Sequence, residues 1–216
     1  MTPSPHSPRV HDLLLTRSTE ITQACVAEPV WVRLALQRNP WVVTRRVVAP
    51  EGLIAVGVRG IERRQRWGGF MCIDQISKIV SPYDLRSDLA DSTRLDLPAL
   101  QALRFIEASL STLPYQWGPG GSVGYEIVSC VAAVTQESDL DLVLSCPKRF
   151  NRRFARELMQ RIAAAPGKVD VRVETSGCGF SLEEYSREDS EKILVRTSTG
   201  PQLTADPWIC ALESQP

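Results

Sequence analysis

Leucines recur at every second position between residues 138 and 146, and the carboxylates Asp139 and Asp141 fall on the alternate positions. Residues 169–174 show the same alternation, with Asp170 among their polar positions. Successive side chains of a strand point to opposite faces, so residues two apart share a face. Both stretches therefore predict strands with one apolar and one polar face.

Apolar residues spaced three and four apart predict helices elsewhere in the chain. Prolines mark several boundaries, because proline is tolerated in the first turn of a helix and interrupts the interior. In chain order, the predicted helices begin at the apolar run of residues 13–15, then cover residues 30–36, the segment from Pro98 to before Pro114, the segment from Pro147 to before Pro166, and Ser181 to Ser186 with Ser181 as its cap.

Runs of β-branched and aromatic residues at 41–48 and 53–58 predict two strands, and residues 193–201 predict a hairpin. Together the elements predict an α+β fold, with a small N-terminal α+β domain followed by a mixed sheet flanked by helices. The polar stretch 86–96 is the predicted linker. The expected divisions are a disordered start at residues 1–8, an N-terminal domain at 9–90 and a catalytic domain at 91–216.

The chain has 216 residues, of which 25 are basic and 25 acidic, so its formal net charge is zero. This balance argues against broad attraction to nucleic acid or to an anionic membrane, and no apolar run approaches the roughly 20 residues that cross a bilayer. The six cysteines show no Cys-x-x-Cys spacing, which disfavours a zinc site. We expect a cytoplasmic protein with reduced thiols and a small, chemically defined partner.

Residues 1–90 nevertheless carry an excess of basic residues, 12 Lys and Arg against 8 Asp and Glu. Six arginines lie between residues 45 and 66, where only two acidic residues occur. A guanidinium group can donate two parallel hydrogen bonds to a phosphate, so the cluster predicts phosphate binding; a solvated strand face is the alternative. The arginines assigned to phosphate binding are Arg45, Arg46, Arg59, Arg63 and Arg66.

A glycine-rich turn precedes the aspartates. Gly121 and Ser122 follow Gly118-Pro119-Gly120, a composition that excludes a regular helix or strand interior. If a helix begins beside Ser122, its first N–H groups and positive dipole end would bind a phosphate. An ordinary turn is the alternative.

Three carboxylates are the candidate catalytic residues and metal ligands. Asp139 and Asp141 would project side by side from one strand, and Asp170 would add a third carboxylate from a neighbouring strand. Adjacent carboxylates repel unless a cation lies between them, and oxygen ligands suit Mg²⁺ or Mn²⁺. A polar edge of a surface strand is the alternative.

The predicted helix after Pro147 has an apolar face and many basic residues around the rest of its surface. Such a surface suits an acidic protein partner, although an ordinary solvated face is the alternative. The residues assigned to docking are Arg149, Arg152, Arg153 and Arg156.

The order Gly121-Ser122, then Asp139-x-Asp141 on an apolar strand, then Val169-Asp170-Val171, resembles the nucleotidyltransferase superfamily that includes polymerase β. This resemblance implies that the Gly-Ser turn holds a triphosphate and that the three carboxylates hold two metal ions, Mg²⁺ or Mn²⁺.

Further motifs are collinear with one family. In chain order they are His11-Asp12-Leu13-Leu14, Trp41-Val42-Val43 with Arg45-Arg46, Gly57-Val58-Arg59-Gly60 with Arg63 and Arg66, Gly121-Ser122-Val123-Gly124-Tyr125-Glu126, Ser138-Asp139-Leu140-Asp141-Leu142, Val169-Asp170-Val171, and Gly200-Pro201 with Asp206-Pro207-Trp208. These motifs resemble the malonate decarboxylase holo-acyl-carrier-protein synthase family, also called phosphoribosyl-dephospho-CoA transferases.

This resemblance implies transfer of the 5″-phosphoribosyl-3′-dephospho-CoA group from 2′-(5″-triphosphoribosyl)-3′-dephospho-CoA to a serine of the apo acyl carrier subunit of malonate decarboxylase, with release of diphosphate. Asp139 and Asp141 would hold the metal ions, and Asp170 would hold one or act as the base. One alternative is a nucleotidyltransferase that places AMP or UMP on a protein or a small molecule. Another is a non-catalytic nucleotide-binding or carrier-binding module.

Overall fold

A computed structural model describes residues 7–21, 27–62, 64–87 and 90–211. The chain divides into two compact units, Met1–Ser81 and Pro82–Pro216. The boundary predicted near residue 90 lies inside the second of these units. Of the disordered start predicted at residues 1–8, residues 1–6 lie outside the described part of the chain.

The first unit is built on a five-stranded antiparallel sheet with the strand order β4-β3-β2-β1-β5. One helix, α1, packs against it. The elements are β1 (Leu13–Thr16), α1 (Val30–Arg38), β2 (Trp41–Thr44), β3 (Leu53–Arg59), β4 (Arg66–Cys72) and β5 (Ile76–Val80).

The helix predicted from residues 13–15 is wrong, because these residues form strand β1. This strand pairs with β2 on one side and with β5 on the other, and Leu14 is fully buried between them. A run of three leucines contains no period of its own, so long-range pairing decides its conformation. The helix predicted at residues 30–36 and the strand at 53–58 are confirmed as α1 and β3.

The core of the first unit lies on one face of its sheet. Val56 and Val58 of β3 point to this face together with Leu14 of β1, and α1 covers them with Val32 and Leu36. Burial of each such side chain stabilises the fold by about 1.5–3 kcal/mol. The opposite face of β3 therefore carries the alternate residues, including Gly57 and Arg59.

The second unit contains a six-stranded mixed sheet with the order β11-β10-β9-β8-β7-β6, in which β7 and β8 are parallel. An α+β fold with helices flanking a mixed sheet is thus confirmed. The elements are α2 (Pro98–Ser109), β6 (Trp117–Pro119), α3 (Gly121–Ser129), β7 (Leu140–Ser145), α4 (Arg152–Ile162), β8 (Val169–Glu174), β9 (Gly179–Ser181), α5 (Leu182–Ser186), β10 (Ile193–Thr197) and β11 (Gly200–Thr204).

Helix α4 begins at Arg152 and not at Pro147, as predicted. The side chain of Asn151 accepts a hydrogen bond from the N–H of Phe154 at 2.9 Å and caps the helix there. Ahead of this cap, Phe150 is buried and packs edge-on against Tyr185 with ring centroids 5.6 Å apart. The segment after Pro147 therefore inserts a ring into the core before the helix begins.

Strand β6 lies close to the turn that opens the second unit. A Cβ atom on Gly118 would lie 1.7 Å from the carbonyl oxygen of Pro82, so only glycine fits at this position. This contact fixes the strand that leads into the glycine-rich turn.

Within the described residues, the cysteines at positions 72, 130, 146, 178 and 210 are free thiols. Burial raises the pKa of the Cys146 thiol to about 12, so it behaves as a small apolar side chain. None of the described helices is long and apolar enough to cross a membrane.

Candidate active site

The parallel pairing of β7 with β8 brings two of the predicted carboxylates together. Asp141 and Asp170 are direct partners across this pair of strands, so their side chains project from the same face about one strand spacing, roughly 4.8 Å, apart. Asp139 immediately precedes β7, two residues before Asp141. The three predicted acids therefore belong to one edge of the sheet.

The glycine-rich turn lies directly against Asp141. The N–H of Gly120 donates to the backbone oxygen of Asp141 at 2.8 Å, and Gly121 adopts a positive φ of 54°. A Cβ atom on Gly121 would lie 1.8 Å from Oδ2 of Asp141. Glycine at this position thus allows the start of helix α3 to contact the carboxylate.

Helix α3 begins at Gly121, so the predicted helix beside Ser122 is confirmed. The N–H groups of its first turn have no acceptor within the helix and carry the positive end of the helix dipole. A Cβ atom on Gly124 would lie 2.5 Å from the carbonyl oxygen of Pro119, so this glycine lets the first turn pack tightly on β6. The turn is therefore built to present N–H groups beside Asp141.

Two basic side chains face the carboxylates, and sequence reasoning gave neither of them a role. Nζ of Lys168 lies 3.0 Å from Oδ2 of Asp139, and the hydrogen bond from Asp139 raises the pKa of Lys168, with Asp170 and Asp141 adding smaller effects. The only local signal was position, because Lys168 precedes β8 as Asp139 precedes β7. The N–H of Leu140 donates to the oxygen of Lys168 at 2.9 Å and holds these two strand starts together.

Arg172 is the second basic side chain at this edge. Its Nη2 lies 4.0 Å from Oδ2 of Asp170. Burial lowers the pKa of Arg172, and Arg196 lowers it further, while Asp170 and Asp141 oppose both effects. Arg172 therefore places a half-buried positive charge beside the aspartates.

The carboxylates have the donor chemistry that a divalent cation requires, since Mg²⁺ and Mn²⁺ prefer oxygen ligands. The register of β7 and β8 also places Asp141 opposite Asp170. Among the described residues, no three His, Cys, Asp or Glu side chains converge as a preformed metal cluster, and Asp139 turns to Lys168 instead. The three acids fit a metal in kind and in backbone placement, with their side chains arranged around basic partners.

Glu126, at the end of the Gly-Ser motif, holds the connector between α3 and β7. Its Oε1 accepts a hydrogen bond from Arg94 at 2.6 Å, and its Oε2 accepts from the N–H groups of Ala133 and Val134 at 2.6 and 2.7 Å. Burial alone would raise the pKa of Glu126, but the hydrogen bonds from Arg94, Val134 and Ala133 together hold it below its ordinary value. This buried ion pair fixes the chain between the turn and the aspartates.

Comparisons with known proteins agree with the motifs. The family model described as phosphoribosyl-dephospho-CoA transferase MdcG N-terminal domain matches residues 9–82, and the one described as phosphoribosyl-dephospho-CoA transferase MdcG C-terminal domain matches residues 84–207. The chain belongs to the phosphoribosyl-dephospho-CoA transferase family. The resemblance stated from the sequence is thereby confirmed.

Relatives in this family are similar over nearly their whole length. A phosphoribosyl-dephospho-CoA transferase of Pseudomonas aeruginosa is 38% identical over 203 residues, which cover 93% of this chain and 94% of the relative. One from Pseudomonas syringae pv. tomato is 38% identical over 85% of this chain and 88% of its own, and one from Klebsiella pneumoniae is 36% identical over 94% and 97%. No solved structure matches the chain.

In this family member, the arginines predicted to bind phosphate are distributed along β2, β3 and β4 of the first unit. Arg45 and Arg46 directly follow β2, while Arg59 ends β3 and Arg66 begins β4 as its direct cross-strand partner. Arg63 lies outside the described residues. Their role in phosphate binding stays a prediction.

The four arginines predicted to dock a carrier protein all have partners within the chain. Arg149 pairs with Asp206 at 2.8 Å, Arg153 with Glu157 at 2.9 Å and Arg156 with Glu188 at 3.1 Å. Arg152 differs from the other three, because it donates to backbone oxygens of Tyr185, Arg187 and Ser190. Arg152 therefore holds the segment after α5, and the docking role of the group stays a prediction.

Proposed function

We propose that the protein transfers the phosphoribosyl-dephospho-CoA group from 2′-(5″-triphosphoribosyl)-3′-dephospho-CoA to a serine of the apo acyl carrier subunit of malonate decarboxylase. Family membership supports the transferred group. The observation that carries the proposal is the contact of Gly121 with Asp141, opposite Asp170. It combines a phosphate-binding helix start with paired carboxylates, which phosphoryl transfer requires.

The chemical step is an in-line displacement. The serine oxygen of the carrier forms a bond to the α-phosphorus, and the bond from that phosphorus to the oxygen bridging to the β-phosphate breaks. Diphosphate leaves with the electron pair of the broken bond. The first-turn N–H groups of α3 and the hydroxyl of Ser122 hold the β- and γ-phosphates in line for departure.

Asp139, Asp141 and Asp170 would bind Mg²⁺ or Mn²⁺. When bound, such ions neutralise charge on the attacking and leaving oxygens. Asp170 would either hold one ion or accept the proton from the serine hydroxyl, since its carboxylate lies directly across from Asp141. Arg172 would offset the remaining negative charge at this edge of the sheet.

The remaining partners follow from the same reaction. The exposed arginines of α4, together with Arg149, would dock the acidic carrier subunit, and arginines of the first unit would neutralise phosphate charge of the small substrate. The formal charge of zero argues against nucleic acid or a membrane as a partner. Free cysteines are in keeping with a cytoplasmic location.

Asp141→Asn tests the proposal. The change removes one charge and keeps the shape, so we expect loss of at least about 100-fold in Mg²⁺-dependent labelling of the carrier, with the fold unchanged by circular dichroism. Labelling is measured as the mass increase of the intact carrier subunit. Glu137→Gln, an exposed acid close to β7, is the matched control and should retain full activity.

Mass also separates the alternatives. Addition of AMP or UMP to the carrier or to another acceptor, in reactions supplied with ATP or UTP, would identify a nucleotidyltransferase of different specificity. Full labelling by Asp141→Asn would contradict the assignment of the carboxylates. Absence of labelling by the wild-type protein with every donor would favour the non-catalytic module.

A further inference from the structure

Two glycines face each other in the sheet of the first unit. Gly57 of β3 and Gly68 of β4 are direct cross-strand partners. They alternate with Val56, Val58 and Trp67, which point to or pack against the core, so the missing side chains of both glycines would project from the opposite face. This face has a flat floor of backbone at the glycine pair.

The side chain of Arg45 lies across this floor. A Cβ atom on Gly57 would lie 3.4 Å from Cδ of Arg45, and a Cβ atom on Gly68 would lie 1.9 Å from its Nη1 and 2.5 Å from its Cζ. The guanidinium group therefore occupies the space that any side chain at position 68 would take. Arg45 depends on glycine at that position for its place on the sheet.

Arg59 and Arg66 belong to the same face. They lie two residues from Gly57 and Gly68 along their strands and are direct partners of one another, so both side chains project next to the guanidinium of Arg45. Like charges directly opposite each other destabilise an antiparallel pair. Three guanidinium groups on one small area of a sheet are therefore suited to an anion that they share.

Local acids do not account for Arg45. Among the described residues, no acidic side chain forms an ion pair with it, whereas the neighbouring Arg64 pairs with Glu62 at 2.6 Å. Guanidinium groups match phosphate oxygens in geometry and stay charged at every physiological pH. Several guanidiniums side by side match a chain of phosphates better than a single carboxylate.

We propose that this glycine-floored arginine face, formed by Arg45, Arg59, Arg66, Gly57 and Gly68, is a binding site for a polyphosphate chain. The site lies in the first unit, apart in sequence from the Gly121 turn. It rests on the proposed function in the choice of a triphosphate-bearing ligand. Gly68 is a positioning residue in this site, and the three arginines contact the phosphates.

The test uses full-length protein and inorganic triphosphate, measured by titration calorimetry in EDTA so that no metal-dependent binding contributes. We expect the wild-type protein to bind triphosphate and the affinity to fall with added salt. Arg45→Ala and Gly68→Ala should each weaken binding about tenfold, equivalent to about 1.4 kcal/mol. Gly68→Ala keeps every charge, so a loss there reports the displaced guanidinium alone.

Arg33→Ala is the matched control, because Arg33 is exposed and lies on α1, which covers the other face of the sheet. It removes the same charge and should leave binding unchanged. Thermal unfolding of each variant reports whether the fold is intact. Rescue of Arg45→Ala by Arg45→Lys should be partial, since an ammonium group lacks the planar fork.

The proposal is overturned if the wild-type protein does not bind triphosphate, or if Arg45→Ala and Gly68→Ala bind as tightly as Arg33→Ala. Ser122→Ala, measured in the same series, shows whether any remaining binding belongs to the Gly121 turn. These outcomes are independent of the carrier-labelling result with Asp141→Asn. The arginine face can therefore fail while the proposed transfer stands, and the reverse.

Discussion

At the scale of single residues, Gly121 combines two requirements that only glycine meets. Its φ of 54° costs an ordinary residue about 1–2 kcal/mol, and a Cβ atom would collide with the carboxylate of Asp141. The second requirement concerns the site and not the fold. The two effects can be separated because another glycine shares only the first.

Gly121→Ala should reduce the rate of carrier labelling about 100-fold, because it displaces Asp141 from the start of α3. Gly52→Ala is the matched control, since Gly52 has a φ of 75° and a Cβ atom there would have no other atom within 4 Å. Both variants should lose about 1–2 kcal/mol in unfolding free energy, measured in urea. Equal activity of the two variants would contradict the role given to the Gly121 contact.

Residue types indicated the candidate site more completely than they indicated its surroundings. Gly121, Ser122 and the aspartates were predictable, because phosphate and metal binding demand particular residues at particular spacings. Lys168 was not, since its distance to Asp139 depends on the pairing of β7 with β8 across 29 positions of sequence. Local patterns carry no information about that pairing.

At the scale of elements, Arg152 joins the first turn of α4 to the segment that follows α5. It donates to the backbone oxygens of Tyr185 at 3.0 Å, Ser190 at 2.6 Å and Arg187, and its guanidinium carbon lies 5.1 Å from the centre of the Tyr185 ring. One side chain thus satisfies three carbonyl groups in a segment that lacks regular structure. Its charge is used within the fold.

Arg152→Ala should lower the unfolding free energy by about 2 kcal/mol, because hydrogen bonds from a charged group are lost and the carbonyl groups lose a donor. Arg153→Ala is the control on the same helix. Its exposed pair with Glu157, four residues on, contributes only about 0.2–0.5 kcal/mol. Equal urea midpoints for the two variants would rule out a structural role for Arg152, and a raised KM for carrier in Arg153→Ala alone would support docking.

Some elements follow from local pattern, and others do not. Helix α2 and strands β7 and β8 follow from period and alternation, and the hairpin of β10 and β11 follows from its turn residues. Strand β1 and the start of α4 were missed. In both cases a contact distant in sequence, the pairing of Leu14 and the buried ring of Phe150, overrides the local pattern.

At the scale of the whole molecule, the second unit depends on an ion pair between segments distant in sequence. Glu126 and Arg94 are 32 positions apart, and the same carboxylate binds the N–H groups of Ala133 and Val134. Although burial raises the folded pKa of Glu126, these hydrogen bonds hold it below the unfolded value. Its contribution to stability is therefore present above the unfolded pKa, about 4.3, and is lost as pH falls through the folded pKa.

Glu126→Gln should destabilise the second unit at neutral pH, and the difference from wild type should shrink as pH falls below about 4.3. The unfolding free energy is measured in urea at several pH values between neutrality and the acid limit of the fold. Glu137→Gln, an exposed acid in the same connector, controls for removal of one charge. A difference that stays constant over this range would show that Glu126 acts through packing and not through its charge.

Three glycines in the stretch from β6 into α3 also limit how this chain can change by descent. Gly118 meets the backbone oxygen of Pro82, and Gly124 meets that of Pro119, and no exchange of a side chain can remove a main-chain atom. Gly121 instead meets a side chain, that of Asp141. Positions 118 and 124 are therefore closed to mutation on their own account, whereas position 121 is tied to Asp141 and is released only in a lineage that has given up that carboxylate.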